Sequence, residues 1–204
     1  MWKSDLQNSL IKPPQSKKIP LAETIKGIRQ SRSLTLAKLA EQSGLSTSTL
    51  SRIESGQLSP TFDTMQKICE GLEISIQTLL QSGPVKTLAG WRSLTRYGEG
   101  KVIETPHYRL ELLCDDVSSK QTLVFRATIL ARDLSDFETL QSHSGQEQIV
   151  VQSGTLRIFT EHYTPVDLHS GDSFAFDSAM GHALVSLGDK PAEVLWISDL
   201  QTGH

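Results

Sequence analysis

Six hydrogen-bonding side chains are crowded into residues 46–52: five hydroxyls and the guanidinium of Arg52. If Ser46 caps a helix, the residues after it lie on or near the outward face of that helix. Hydroxyls there can reach base edges or phosphates, and an arginine can grip a phosphate or a guanine edge. Lys38 and Gln42 lie just ahead, where phosphate contacts are expected. The candidate contact residues are Lys38, Gln42, Ser46, Thr47, Ser48, Thr49, Ser51 and Arg52.

Three short amphipathic helices must position these side chains. Within each of three groups, apolar residues recur every three to five positions, which predicts one buried stripe per helix. Ser43-Gly44-Leu45-Ser46 predicts a tight turn between the first two, because Gly44 can adopt a positive φ and Ser46 can cap the next helix. This geometry presents a second helix to the major groove of DNA. The groups are Leu36, Leu39 and Ala40; Leu45, Leu50 and Ile53; and Met65, Ile68 and Leu72.

Residues 21–81 resemble the phage-repressor-like helix-turn-helix of the "xenobiotic response element" regulator family. The resemblance implies five helices and DNA binding. It makes Leu50 and Ile53 core residues, and it leaves Glu54 as either an ion-pair partner or a base contact, with the ion pair favoured. The matching positions are Ile28 and Arg29, Leu34-Thr35, Leu39-Ala40, Gly44-Leu45-Ser46, Leu50-Ser51-Arg52-Ile53-Glu54-Ser55-Gly56 and Pro60-Thr61.

Charge divides the chain in the same place. Residues 1–81 hold 10 Lys/Arg and 7 Asp/Glu, a net +3, whereas residues 82–204 hold 10 and 16, a net −6, which together give the −3 of the whole chain. A modest basic excess fits a sequence-specific regulator better than a general DNA-coating protein, which would be strongly basic. Much of this excess lies in the leader, at Lys3, Lys12, Lys17 and Lys18.

Length and composition allow two ordinary domains in 204 residues. No apolar run approaches the ~18 residues of a membrane span. The start of the chain lacks the hydrophobic segment of a signal peptide, so we expect a cytoplasmic protein with no membrane partner. Cys69 and Cys114 are far apart, and Cys69 is expected to be a small buried residue.

Beyond Ser82-Gly83-Pro84 the pattern changes to short segments rich in β-formers. Turn signals such as Ser153-Gly154 and Ser170-Gly171-Asp172 separate them, and roughly ten-residue intervals indicate a β-sandwich or barrel. The predicted strands are Tyr108 to Leu113, Thr122 to Leu130, Gln148 to Gln152, Thr155 to Phe159, Ser173 to Phe176 and Val194 to Ile197.

Residues 141–154 resemble the first motif of the cupin family, and residues 171–182 resemble the second. His143 matches the second histidine of the first motif, Glu147 its glutamate and Gly154 its glycine, while His182 matches the histidine of the second motif. Gln141 stands where the family has its first histidine. The resemblance implies that these side chains line a barrel.

The matched residues form a plausible metal site. His143 and Glu147 are four residues apart, so on one continuous strand they would share a face, and His182 could meet them from another strand. Two imidazoles and a carboxylate suit a divalent metal, zinc first, or nickel, manganese or iron, with the Gln141 amide as a candidate fourth ligand. A hydrogen-bonded polar cluster without metal is the alternative. The other histidines, His107, His162, His169 and His204, match no motif position and are interpreted as surface residues.

Together these features predict a multidomain α + β protein. Residues 1–20 form a leader, 21–81 a five-helix helix-turn-helix domain, 82–90 a linker and 91–204 a cupin-type double-stranded β-helix, or jelly-roll barrel. The function predicted is a ligand-responsive transcriptional regulator. It would bind double-stranded, palindromic operator DNA as a homodimer. The family resemblance suggests an amino acid, a polyamine or a sulfur compound as effector.

Two other functions stay open at this stage. The cupin could serve only as a dimerisation platform, in which case its histidines bind nothing. Alternatively, two histidines and one carboxylate are also the ligand set of non-haem iron oxygenases and metal-dependent isomerases. An enzyme is the less favoured alternative, because Gln141 departs from the usual catalytic four.

Overall fold

Five helices form the amino-terminal part of the protein. The structure is a computed structural model, which describes residues 18–80, 90, 92–117 and 122–199. Backbone amides at four helix starts donate to a hydroxyl just ahead of the helix: Lys38 to Thr35, Thr49 to Ser46, Thr64 to Thr61 and Thr78 to Ser75. The helices are α1 (Leu21–Ser31), α2 (Leu36–Ser43), α3 (Thr47–Glu54), α4 (Phe62–Gly71) and α5 (Ile76–Leu80).

The predicted turn between the second and third helices is confirmed. Gly44 ends α2 with a φ of 67°, a left-handed conformation that glycine adopts without steric cost. Ser46 has extended backbone and caps α3. Leu50 and Ile53 are 0% and 1% exposed, so α3 packs inward through these two residues and turns its hydroxyl-rich side outward.

A partly buried ion pair joins the first helix to the third. Arg29 donates from Nε and a terminal nitrogen to the two carboxylate oxygens of Glu54 at 2.6 and 2.7 Å, and also donates to the Leu34 carbonyl at 2.7 Å. The contact with Glu54 raises the pKa of Arg29. Glu54 therefore has the structural role favoured from the sequence. Cys69 is buried as expected, and burial raises the pKa of its thiol to about 12.

The carboxy-terminal part is built of nine antiparallel strands in two facing sheets. One sheet has the order β1-β2-β3-β9-β4-β7 and the other β6-β5-β8. Leu156, Ile149, Phe125 and Trp196 project into the space between them. The strands are β1 (Lys101–Glu104), β2 (Tyr108–Leu112), β3 (Thr122–Ile129), β4 (Gln146–Ser153), β5 (Thr155–Thr160), β6 (Tyr163–His169), β7 (Ser173–Asp177), β8 (His182–Leu187) and β9 (Ala192–Asp199).

Six of these strands were predicted, and three were not recognised from sequence. Strands β3, β4, β5 and β9 bury alternate residues, which is the pattern that made them visible. Strand β8 is buried on both faces, and β6 is an edge strand that exposes most of its residues and contains Pro165. Neither alternates, so periodicity does not reveal them. The third, β1, is only four residues long.

Within the described residues, the two parts make contact through Lys18 and through Phe62. Lys18 forms a parallel bridge with Val102, where the Ile19 amide donates to the Val102 carbonyl at 3.2 Å, and Lys18 pairs with Glu104. On another side, Phe62 of α4 packs edge-on against Phe125 of β3, with ring centroids 6.0 Å apart. The predicted linker lies outside the described residues except for Gly90, as does most of the predicted leader. Among the described residues, no helix is both long and apolar enough to cross a membrane.

Candidate functional site

Three buried polar side chains converge inside the barrel. His143 Nε2 lies 3.1 Å from one oxygen of Glu147, and His182 Nε2 lies 3.6 Å from the other. Their side chains are 4%, 0% and 4% exposed for His143, Glu147 and His182, and the candidate ligand atoms all lie within 4.8 Å of one another. We call these three residues the His-Glu-His centre.

The convergence does not arise in the way the sequence suggested. Strand β4 begins only at Gln146, so His143 lies in the preceding loop and not on the same strand as Glu147. Gly145 makes the bend, with a φ of 115°, and a Cβ there would meet the Asp199 carbonyl at 2.6 Å. Because the loop is pinned by a 2.9 Å hydrogen bond from the His143 amide to the Ser178 carbonyl, the ring turns back toward Glu147.

Backbone carbonyls set the proton positions on both imidazoles. Nδ1 of His182 lies 2.9 Å from the Met180 carbonyl, and Nδ1 of His143 lies 3.2 Å from the Ser144 carbonyl. Since a carbonyl only accepts, each Nδ1 carries the hydrogen, and each Nε2 presents its lone pair to Glu147 when the ring is neutral. This is how proteins orient histidines that bind metal through Nε2.

The two imidazoles differ in proton affinity. Burial alone would lower the pKa of His143, but the close Glu147 carboxylate outweighs it and the pKa is raised. Burial dominates at His182, and the pKa of that ring is lowered. The negative charge of Glu147 thus favours a proton on one imidazole and leaves the other neutral.

The polar atoms of the centre are not satisfied by the protein itself. Among the described residues, His143 Nε2 and both oxygens of Glu147 are buried without a well-formed hydrogen bond, although His143 Nε2 lies 3.1 Å from the carboxylate. Buried polar atoms are rarely left in this way. Two imidazole nitrogens and a carboxylate are a donor set for divalent zinc, nickel, manganese or iron, so these residues fit a metal.

Gln141, the candidate fourth ligand, lies beside the centre. The backbone amide of Gln141 donates to the backbone carbonyl of His182 at 3.0 Å, and the backbone amide of His182 donates back to the backbone carbonyl of Gln141 at 2.8 Å. This pairing extends β8 by one bridge and leaves Gln141 partly buried. Its backbone therefore positions His182, while ligation by its side chain stays a prediction.

One of the remaining histidines departs from its predicted surface position. The ring of His107 is partly buried and stacks on Phe137, with centroids 4.0 Å apart, while its Nε2 contacts the Asp136 carbonyl at 2.9 Å. Phe137, which is buried, directly follows the short 3-10 turn Leu134–Asp136 in the loop between β3 and β4. His162 and His169 are exposed as predicted, and His204 lies outside the described residues.

The candidate DNA-contact residues form an exposed surface on α2 and α3. Seven of the eight are exposed, and Thr49 is partly buried. Three hydroxyls are engaged at the helix start, since Ser46 Oγ lies 2.8 Å from the hydroxyls of both Ser48 and Thr49. On the exposed side, Lys38 pairs with Glu41 at 2.9 Å. Within the described part of the chain, Thr47, Ser51 and Arg52 make no side-chain hydrogen bond and are available for contacts.

Two residues near the His-Glu-His centre were not selected from sequence. The ring centroid of Phe62 lies 5.6 Å from that of His143, and the charge of Asp63 raises the pKa of both His143 and His182. Both belong to α4, in the other half of the molecule. The motif match stopped at Pro60-Thr61, and no periodic or spacing signal points from residue 62 to residue 143.

Known proteins resemble the two halves separately. A helix-turn-helix family model matches residues 25–79, and a cupin domain model matches residues 136–198. The HTH-type transcriptional regulator SutR of Escherichia coli (strain K12) is 40% identical over 60 residues, which are 29% of this chain and 34% of SutR. The chain thus matches about a third of the length of that curated relative.

Solved structures resemble the chain over most of its length. An HTH_3 family transcriptional regulator from Vibrio cholerae superposes with a TM-score of 0.61 and 24% identity, over 88% of this chain and 94% of that one. This likeness shows a shared two-part fold. Hydroxypropylphosphonic acid epoxidase from S. wedmorenis, at a TM-score of 0.47 and 18% identity over 90% and 98% of the two chains, is too distant to add to it.

Both halves now have an assignment. The five helices with their capped glycine turn match the helix-turn-helix model, and the two facing antiparallel sheets match the cupin model. The order of the two domains is the one that the sequence predicted. The chain therefore contains a helix-turn-helix domain followed by a cupin domain.

Proposed function

We propose that this protein is a ligand-responsive transcriptional regulator. Its helix-turn-helix domain reads a palindromic operator as part of a homodimer, and its cupin barrel senses a small metabolite at the His-Glu-His centre. The effector is an amino acid, a polyamine or a sulfur compound, bound with the help of a divalent metal. Operator binding places the protein in the cytoplasm.

The observation that carries the proposal is the unsatisfied, buried His-Glu-His centre. Two imidazole nitrogens and a carboxylate that face one another in a buried site are favourable only when a cation lies among them, either a proton on His143 or a metal ion. The charge that holds a proton on His143 would equally hold a divalent metal. In that site, His143, Glu147 and His182 would be the ligands, and the metal would supply an open position for an effector donor atom.

The exposed surface of α3 supports the DNA-binding half of the proposal. Arg52, Ser51 and Thr47 point away from the core at the places where a helix in the major groove meets bases and phosphates. Two-fold symmetry of a dimer would match half-sites about one helical turn apart. Coupling of about 1–3 kcal/mol between effector and operator, roughly 5- to 150-fold in affinity, would suffice for control.

Thermal unfolding of tag-free protein against a metabolite panel tests the sensing function. The panel is run with and without zinc, nickel or manganese, and each hit is then added to an operator-binding assay. A ligand at 100 times its Kd should add about 2.7 kcal/mol to the free energy of unfolding. A stabilising ligand that leaves operator affinity unchanged would contradict the proposal. No stabilisation by any compound would favour a cupin that serves only for dimerisation.

A metal-dependent enzyme is the second candidate, favoured by the His-Glu-His centre itself. Two histidines and one carboxylate with open positions are also the ligands of non-haem iron oxygenases. Turnover of a panel metabolite with ferrous iron, lost in His143→Ala, would establish this alternative.

A further inference from the structure

The first residue of α4 closes one side of the His-Glu-His centre. The ring of Phe62 meets that of His143 edge-on at 66°, and it meets Phe125 at 84°. Phe62 is only 5% exposed, so it fills the space beside His143. An aromatic side chain of the DNA-binding domain thus forms part of the wall of a site that otherwise belongs to the cupin.

Helix α4 cannot move by itself. A Cβ at Gly71 would meet Ser43 Cβ at 2.9 Å and Leu39 Cδ1 at 3.1 Å, so the end of α4 lies directly against α2. Met65 and Ile68 are fully buried in the same core. Since close-packed cores transmit displacement, a shift of α4 would carry α2, and with it the helix pair that bears the DNA-contact surface.

The remaining contact between the domains is loosely packed. A cavity of about 260 Å³ separates the Lys18–Val102 bridge from the end of α3, and Ile53, Gly56 and Leu58 line its helical side. Among the described residues, the helical domain contacts the barrel through the Lys18–Val102 bridge, the Lys18–Glu104 ion pair and the packing of Phe62 against Phe125 and His143. Such an interface permits rotation of one domain against the other.

We propose that Phe62 belongs to the effector site, and that an effector bound beside His143 displaces Phe62 and thereby moves the DNA-binding surface. Phe62 cannot then pack against His143 while an effector occupies the same space. This inference rests on the proposed function, because it assumes that the His-Glu-His centre takes a metal with an open position.

Cobalt and imidazole serve as the probe. The full-length protein is loaded with Co²⁺, and imidazole, a small ligand for the open position, is titrated while the visible absorption of cobalt is followed. Phe62→Leu keeps an apolar residue but removes the ring. If Phe62 must be displaced, imidazole should bind Phe62→Leu about tenfold more tightly than wild type, since the competent state no longer has to be opened.

Hydrogen exchange of the same samples gives a second readout. In wild type, imidazole should raise the exchange rate at the first turn of α4 by about tenfold, as that turn leaves its seat. Phe137→Leu is the control, because Phe137 is also buried but stacks on His107 away from the centre. It should bind imidazole like wild type.

Three outcomes would overturn the inference or its basis in distinguishable ways. Equal imidazole affinity in Phe62→Leu and wild type, with unchanged exchange in α4, overturns the role of Phe62 alone. Failure of wild type to bind Co²⁺ overturns the metal half of the proposed function, and this inference with it. An effector response of operator affinity that is the same in Phe62→Leu and wild type overturns the coupling while leaving the sensing function intact.

Discussion

The DNA-contact surface and the His-Glu-His centre are built on opposite principles. The former consists of eight candidate side chains within 15 residues of one another, all exposed except Thr49, and local hydrogen bonds such as that from the Thr49 amide to Ser46 shape it. The latter consists of buried side chains from a loop and two strands, brought together by sheet closure. Substituting one exposed residue leaves the local surface in place, whereas any substitution in the buried centre would remove one of only three candidate ligands.

The largest effect that separates the two regions is expected from Glu147→Gln. It keeps the size of the side chain but removes the charge between the two imidazoles. Metal affinity should fall at least about 100-fold, as a ligand is worth no less than its supporting contacts. Competition with a chromophoric chelator measures this.

Glu193→Gln is the matched control for that experiment. Glu193 lies on β9, beside β4, and bonds to the Thr128 hydroxyl outside the centre. The Glu193→Gln variant should bind metal with the same affinity as wild type. An unchanged affinity in Glu147→Gln would mean that metal binds elsewhere.

Arg52→Ala should produce the next largest effect, on the other region. Loss of a guanidinium contact to a base or phosphate costs about 1–3 kcal/mol, or roughly 5- to 150-fold in operator affinity. Fluorescence anisotropy with labelled operator, at a stated salt concentration, measures it. Arg157→Ala, which breaks the Arg157–Asp167 pair on the barrel, should leave operator affinity unchanged. Equal losses in both variants would contradict the assignment of α3 as the reading helix.

Acidification should weaken the His-Glu-His centre in two separate steps. The pKa of His143 is raised above its ordinary value of 6.5, so this ring takes up a proton first as the pH falls and competes with metal. Below that pKa, metal affinity should drop about tenfold per pH unit. The pKa of His182 is lowered, so its proton adds a steeper loss only at lower pH.

Metal affinity measured by chelator competition between pH 8 and pH 5 tests this order of protonation. His143→Gln should remove the first step and keep the second. Operator affinity of metal-free protein serves as the comparison, because the DNA-contact surface contains no histidine. A first step that persists in His143→Gln would show that another group titrates there.

The smallest effect is expected from the cap of α3. Ser46→Ala removes the acceptor for the Thr49 amide and should lower the free energy of unfolding by about 1 kcal/mol. Urea unfolding followed by the helical circular dichroism signal measures it. Ser48→Ala removes a nearby hydroxyl that caps no amide and should cost less. If the two variants were equally stable, the cap would contribute nothing.

Sequence patterns predicted the elements that are stabilised by contacts between residues close together in the chain. The Ser46 cap, the Gly44 turn and the inward face of Leu50 and Ile53 all depend on contacts within a few residues, so their pattern is legible in the chain. Patterns failed where burial does not alternate, as at β8, or where exposure is nearly continuous, as at β6. The prediction that His107 is a surface residue was wrong, because the ring packs on Phe137, which lies 30 residues away in the chain.

The sequence by itself determined the two domain types and which residues could be ligands or DNA contacts. Only the tertiary structure decided that His143 reaches Glu147 from a loop bent at Gly145, and that Phe62 of the DNA-binding domain closes the same site. The physical reason is the separation along the chain of the residues that interact. Caps and turns are settled by hydrogen bonds between near neighbours, whereas the His-Glu-His centre and its aromatic wall arise from packing between segments that are up to 120 residues apart, from Phe62 to His182.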